Sequence, residues 1–161
     1  MQAGETSSGD TRKPAGGAPP APARLEIRGE GIKTLTFSAE ELAALPRKTV
    51  RAKAHDGVES EYQGVPLHDL LARAGAPTGD ALKGRKALSL YLVVEASDDY
   101  RVVFALAELD PGFADRTVIL ADRRDGRPLS HRDGPLQVIV PGEKKHGRWV
   151  RQVVRLVVGR A

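Results

Sequence analysis

The segment Lys48-Thr-Val-Arg-Ala-Lys-Ala-His55, followed by Tyr62-Gln-Gly-Val-Pro-Leu-His-Asp-Leu-Leu71, decides how this chain folds. The first stretch reads as a strand over 48–55. The second opens a helix over 64–75. Pro66 suits a first turn, where its missing N–H has no partner to lose, and Gly75 suits the end, where a left-handed backbone is needed. Leu67, Leu70, Leu71 and Ala74 recur at helical spacing and should face a core.

Working outward, Leu25-Glu-Ile-Arg28 alternates as a strand does. A turn at Gly29-Glu-Gly31 leads to a second strand, 33–37. Ser38-Ala-Glu-Glu41 is a capping box that opens a short helix over 39–45, which Pro46 stops. Residues 87–96 read as a buried central strand. Asp98-Asp-Tyr100 turns the chain into a strand at 101–105, and 107–115 is a short helical loop. A strand at 117–124 meets a hairpin-like turn at Asp125-Gly126. Strands at 135–140 and 148–158 finish the chain. About eight strands with two or three short helices make an α+β fold, not a βαβαβ nucleotide fold.

Residues 1–23 are rich in Gly, Ser, Thr, Ala and Pro and cannot bury enough apolar surface to offset chain entropy. They are expected to be a disordered tail before one domain at 24–161. The net charge is +4 over 161 residues. Residues 141–161 carry six cations, Lys144, Lys145, Arg148, Arg151, Arg155 and Arg160, against Glu143 alone. That excess suits an anionic ligand or an acidic partner, and equally a solvated strand face. The chain has no cysteine, so it forms no disulfide and offers no thiolate. No apolar run approaches a membrane span, and no signal peptide is visible.

Other chemistries find little support. Aromatics are 4% of the chain and no nucleic-acid-binding motif appears. No nucleophile elbow is present. Gly142-x₄-Gly147 looks like half a phosphate loop, but Arg148-Trp149 follows where Lys-Ser/Thr is required.

Five segments remain, in a fixed order: 48–55, 62–71, Asp125-Gly-Arg-Pro-Leu129, His131-Arg-Asp-Gly-Pro-Leu-Gln-Val-Ile-Val-Pro-Gly142, and Arg148-Trp-Val-Arg-Gln-Val-Val-Arg-Leu156. Over residues 25–158 this order resembles the molybdopterin-binding domain of the sulfite-oxidase-like oxidoreductases. The resemblance implies a β-rich, mixed-sheet fold with a pterin pocket. Those enzymes hold molybdenum through a cysteine just after the first of these strands. Here that turn reads Ala54-His55-Asp56, with Asp56 the best match for the missing residue. A hard carboxylate does not replace a soft thiolate.

The resemblance nominates a ligand-binding set. It comprises His55 and Asp56; Asp98, Asp99, Tyr100 and Arg101, with Asp99 where the family usually has glycine; His131; and Lys145, His146, Arg148 and Trp149. Asp56 and the 98–99 carboxylates could accept hydrogen bonds from a pterin's amino and ring N–H groups. Trp149 could stack on a flat ring, or simply pack at the core. Each turn also has an ordinary reading, since Asp favours turns in any context. The family's arginine beyond the proline reads Gln137, which weakens the phosphate end of a full molybdopterin.

The expectation is therefore a non-catalytic module, monomeric and exported, resembling metal-lacking pterin-binding relatives of the fold. It would hold a small reduced pterin or a similar heterocycle without molybdenum, for sensing by or delivery to a membrane receptor. The alternatives are a molybdopterin-dependent oxidoreductase of the sulfite oxidase type, and a protein-interaction domain with no ligand.

Overall fold

The computed structural model describes residues 23–161. The tail expected over 1–23 lies outside the described residues, Ala23 excepted. Ten strands are described, with three short α-helices and two 3₁₀ turns. In chain order they are β1 (Arg24–Gly29), β2 (Leu35–Ser38), α1 (Ala39–Ala43), β3 (Lys48–Lys53), β4 (Glu59–Pro66), α2 (Leu67–Arg73), β5 (Leu90–Ala96), β6 (Arg101–Ala105), α3 (Leu106–Leu109), β7 (Ile119–Arg124), β8 (Arg127–Pro128), β9 (Gln137–Ile139) and β10 (Val153–Arg160).

Two five-stranded sheets result. One has the order β2-β1-β10-β5-β6, with β1 parallel to β10 and its other pairs antiparallel. The other runs β3-β4-β7-β8, with β9 also paired to β7. The expected β-rich α+β fold with a mixed sheet is what the chain adopts. β5 buries every second residue, Leu90, Leu92, Val94 and Ala96, as a strand with one covered face must. β9 is buried at all three positions, so no alternation marks it. One hydrophobic cluster takes side chains from both sheets and from α2. Burying each large member, such as Phe104 or Leu156, contributes roughly 1.5–3 kcal/mol.

The capping box forms as its residue types require. Ser38 Oγ accepts from the Glu41 N–H at 3.1 Å, and Glu41 Oε1 accepts from the Ser38 N–H at 2.8 Å.

Several element boundaries differ from the sequence reading, and three of the differences have a clear local setting. The helix expected over 64–75 begins only at Leu67, because 59–66 is strand β4. Gly64 lies between Lys48 of β3 and Ala121 of β7. A side chain there would run into the Leu120 carbonyl and come within 2.6 Å of Ala121 Cα, so glycine lets the two strands close up. The strand expected from 148 begins at Val153, because Gln152 turns the chain with φ of +52°. The strand expected from 87 begins at Leu90, after a 3₁₀ turn over Ala87–Ser89. No helix among the described residues is long and apolar enough to cross a membrane.

Candidate functional site

The turn after β3, the β5–β6 turn, the 130–133 turn and the β9–β10 connection converge on a cavity of about 790 Å³. That is ample for a small heterocycle, within the usual range for small-molecule sites. From the first turn come His55 and Asp56; from the second, Asp98 and Tyr100; from the third, Ser130, Arg132 and Asp133. Lys145, His146, Gly147, Trp149 and Arg151 come from the β9–β10 connection, while Tyr62, Arg124 and Gln137 line the wall from the sheet.

One side of the wall is a polar cluster. Asp56 Oδ1 accepts from the Val58 N–H at 2.9 Å, an Asx turn, and Oδ2 accepts from Arg124 Nη2 at 3.4 Å. The Val58 N–H, and then Arg124, hold the Asp56 carboxyl below its usual range, against partial desolvation. Arg124 also donates from Nε to Ser60 Oγ at 2.9 Å and sits 5.6 Å from the Tyr62 ring centroid. Burial raises the Tyr62 phenol above its usual value, so it stays protonated and can donate at neutral pH.

A run of rings continues from Tyr62. Tyr62 and Trp149 meet edge to face at 5.7 Å, Trp149 and His146 at 4.7 Å, and His146 and His55 at 5.8 Å. Trp149 is fixed by donating from Nε1 to the Val140 carbonyl at 3.2 Å. His146 Nε2 lies 2.8 Å from the Lys53 carbonyl. A donor at Nε2 leaves Nδ1 as the basic nitrogen.

Side-chain ties hold the turns together. The Tyr100 hydroxyl donates to the Gly147 carbonyl at 2.6 Å. Gln152 Oε1 accepts from Ser97 Oγ at 2.8 Å, and its Nε2 donates to the Arg132 carbonyl at 3.1 Å. Arg151 pairs with Asp133 at 3.1 Å.

Of the nominated residues, the structure brings His55, Asp56, Asp98, Tyr100, Lys145, His146 and Trp149 around one cavity. Four lie off its lining. Asp99 occupies a left-handed turn position, φ +71°, which accounts for the glycine expected there. Arg101 pairs with Glu95 at 3.5 Å. His131 meets this region through its carbonyl, which accepts from Gln152 at 3.5 Å. Arg148 turns away to Glu143 and Glu108, with contacts at 2.6 and 3.1 Å. Sequence reading missed Tyr62, Arg124, Ser130, Arg132, Asp133 and Arg151 as wall residues, and treated Gln137 only as a lost arginine. Nothing local marks Tyr62 or Arg124, since sheet pairing alone sets them side by side.

The cavity fits the pterin part of a molybdopterin better than a metal ligated by this chain. Its aromatic rings and polar groups suit a flat heterocycle. The donors beside Asp56 are carboxylate, imidazole and carbonyl, the chain holds no thiolate, and the Asp56 carboxylate is already engaged. Among the described residues, no three His, Asp or Glu side chains gather as a metal site.

Comparison with known proteins places these observations. Residues 15–161 match the family described as the oxidoreductase molybdopterin binding domain. No curated protein gives a match. The crystal structure of the sulfane dehydrogenase SoxCD from Paracoccus pantotrophus superposes with a TM-score of 0.65 at 27% identity. The match covers 84% of this chain and 38% of that one, so this chain spans well under half of that relative. The fold, the motif order and the match over nearly the whole chain agree: the chain belongs to the sulfite-oxidase-like family of molybdopterin-binding oxidoreductase domains.

Proposed function

We propose that this domain is a non-catalytic pterin-binding module. The observation that carries the reading is the residue after β3. The family's metal chemistry needs a thiolate there; this chain has the Asp56 carboxylate, already committed to Val58 and Arg124. The aromatic wall and the polar groups around it remain as a heterocycle site. Tyr62, Trp149 and His146 supply ring contacts, and Arg124 and the Asp56 turn lie beside Tyr62 as polar groups. We place the module outside the cytoplasm, where it presents a small reduced pterin to a membrane receptor. Those two points rest on the resemblance to exported, metal-lacking relatives.

One observation favours a second reading. Arg124 and Arg151 are paired with Asp56 and Asp133, but Arg132 and Lys145 face the same cavity without a carboxylate partner among the described residues. Two free cations suit the phosphate of a complete molybdopterin, bound for oxidoreductase chemistry through the cofactor's own metal ligands.

Titration with 7,8-dihydroneopterin tests the first reading, with the fluorescence of Trp149, the single tryptophan of the chain, as reporter. Saturation at one ligand per chain is expected. No saturable change would contradict it.

A further inference from the structure

Two side chains in the cavity wall are almost wholly buried and have no hydrogen-bond partner among the described residues. Tyr62 is 2% exposed and Gln137 6% exposed, and both line the cavity. Neither belongs with the fully enclosed unpaired atoms, which are Arg47 Nη1 and Arg116 Nε. The Tyr62 hydroxyl and the Gln137 amide therefore open onto the cavity itself. Buried polar groups are almost always paired, so an unpaired pair facing a cavity marks where a ligand completes the bonding.

The sheet fixes both residues. Tyr62 lies on β4 between Val50 of β3 and Arg124 of β7. Gln137 opens β9, opposite Ala121 of β7. Among the nearby carboxylates Asp56 is held by Val58 and Arg124 and Asp133 by Arg151, while Asp98, exposed at the rim, accepts from the Tyr100 N–H. The free cations Arg132 and Lys145 are solvent-exposed, at the rim. The inner pair is thus uncharged and flanked by the Asp56–Arg124 and Asp133–Arg151 ion pairs, while Arg132 and Lys145 stand unpaired at the rim.

The chemistry of the inner pair is specific. A glutamine amide sets one acceptor beside two donors, and a phenol adds one donor and one acceptor. That set matches a cyclic amide, with its N–H beside its C=O. It carries no charge to offset the cost of stripping water from a phosphate.

We propose that Gln137 and Tyr62 read the uncharged cyclic-amide edge of a heterocyclic ligand, leaving its anionic or hydroxylated substituents at the rim with Arg132 and Lys145. The proposal rests on the pterin reading and refines it, because a pterin presents such an edge at its N3–H and C4 carbonyl. Asp56 and Asp98, the carboxylates nominated from sequence, are then part of the scaffold.

The test compares 7,8-dihydroneopterin with its 3-methyl derivative, which lacks that N–H, using Trp149 fluorescence on the whole domain. The methylated ligand is expected to bind roughly tenfold more weakly, the scale of a lost buried hydrogen bond. Gln137→Met and Tyr62→Phe each lower affinity for the parent and narrow the gap between the two ligands, and excess inorganic phosphate does not displace the parent. Equal binding of both ligands, unchanged affinity in both variants, or displacement by phosphate overturns the inference and leaves the pterin reading standing. No binding of the parent by the unaltered domain overturns both. Thermal melts check folding; should Gln137→Met fail to fold, the ligand pair on the unaltered domain decides alone.

Discussion

The Arg148 guanidinium lies 4.2 Å from the centroid of the Phe104 ring, one of the fully buried side chains of the core. From there it reaches Glu143 at 2.6 Å, Glu108 at 3.1 Å and the Val103 carbonyl of edge strand β6 at 3.0 Å. One side chain thus ties the β9–β10 connection, which lines the cavity through Lys145 to Gly147, Trp149 and Arg151, to β6 and α3. Arg148→Met keeps the stem and removes the charge. It should cost about 1–3 kcal/mol, since two partly buried carboxylates lose their main donor. Urea denaturation measures it.

The same pair sets a pH dependence. Hydrogen bonding from Arg148, ahead of the opposing effect of desolvation, holds Glu143 below the ordinary glutamate value of 4.5. For Asp110, burial alone would raise the carboxyl, but the Gly79 and Gly112 N–H groups, each at 2.8 Å, and His68 outweigh it. A carboxyl depressed in the folded state stabilises fully above its unfolded pKa. That stability is lost as pH falls through the folded value. Stability should therefore fall as pH drops below about 4.5. The fall should be shallower in Arg148→Met, because Glu143 no longer differs as much between folded and unfolded chains. Thermal melts across pH 3–7 check both slopes.

Asp99 holds φ of +71° at the tip of the β5–β6 turn. Asp99→Val should cost about 1–2 kcal/mol through backbone strain, whereas Asp99→Gly should be close to neutral. Neither substitution should change ligand affinity, because the side chain does not line the cavity. Chemical denaturation and ligand titration of the same two variants separate the effects.

Gly64→Ala should disrupt the β4–β7 junction, where the added Cβ would meet the Leu120 carbonyl and Ala121 Cα. Backbone cannot yield as a flexible side chain can, so a loss of at least about 1–3 kcal/mol is expected. The yield of soluble protein and its melting temperature report it.

These positions show how far sequence carries. The capping box at Ser38 and Glu41 is legible because its partners are three residues apart and the bonds are local. The motif order was enough to assign the family and with it the mixed sheet. β4 was not legible as a strand, because Gly64-Val-Pro-Leu looks like a helix start until β7 is set beside it. Arg148-Trp-Val looked like strand, yet the left-handed Gln152 ends that run, and its bonds reach Ser97 and Arg132. The cavity divides in the same way. Residues on the recognised turns, such as Asp56, Asp98 and His146, could be nominated. Tyr62, Arg124 and Gln137 could not be placed there, because β4, β7 and β9 bring them together only through tertiary pairing. Arg148 was nominated for its charge, and the structure gives that charge to Glu143 and Glu108.

The central claim is that this sulfite-oxidase-like domain uses its cavity for a pterin and not for molybdenum chemistry. Native mass spectrometry with metal analysis, on protein isolated from its own host, tests it most directly. The account predicts one bound pterin per chain, a mass of a few hundred daltons with pterin fluorescence, and no molybdenum. Stoichiometric molybdenum carried with the pterin would contradict it and restore the oxidoreductase.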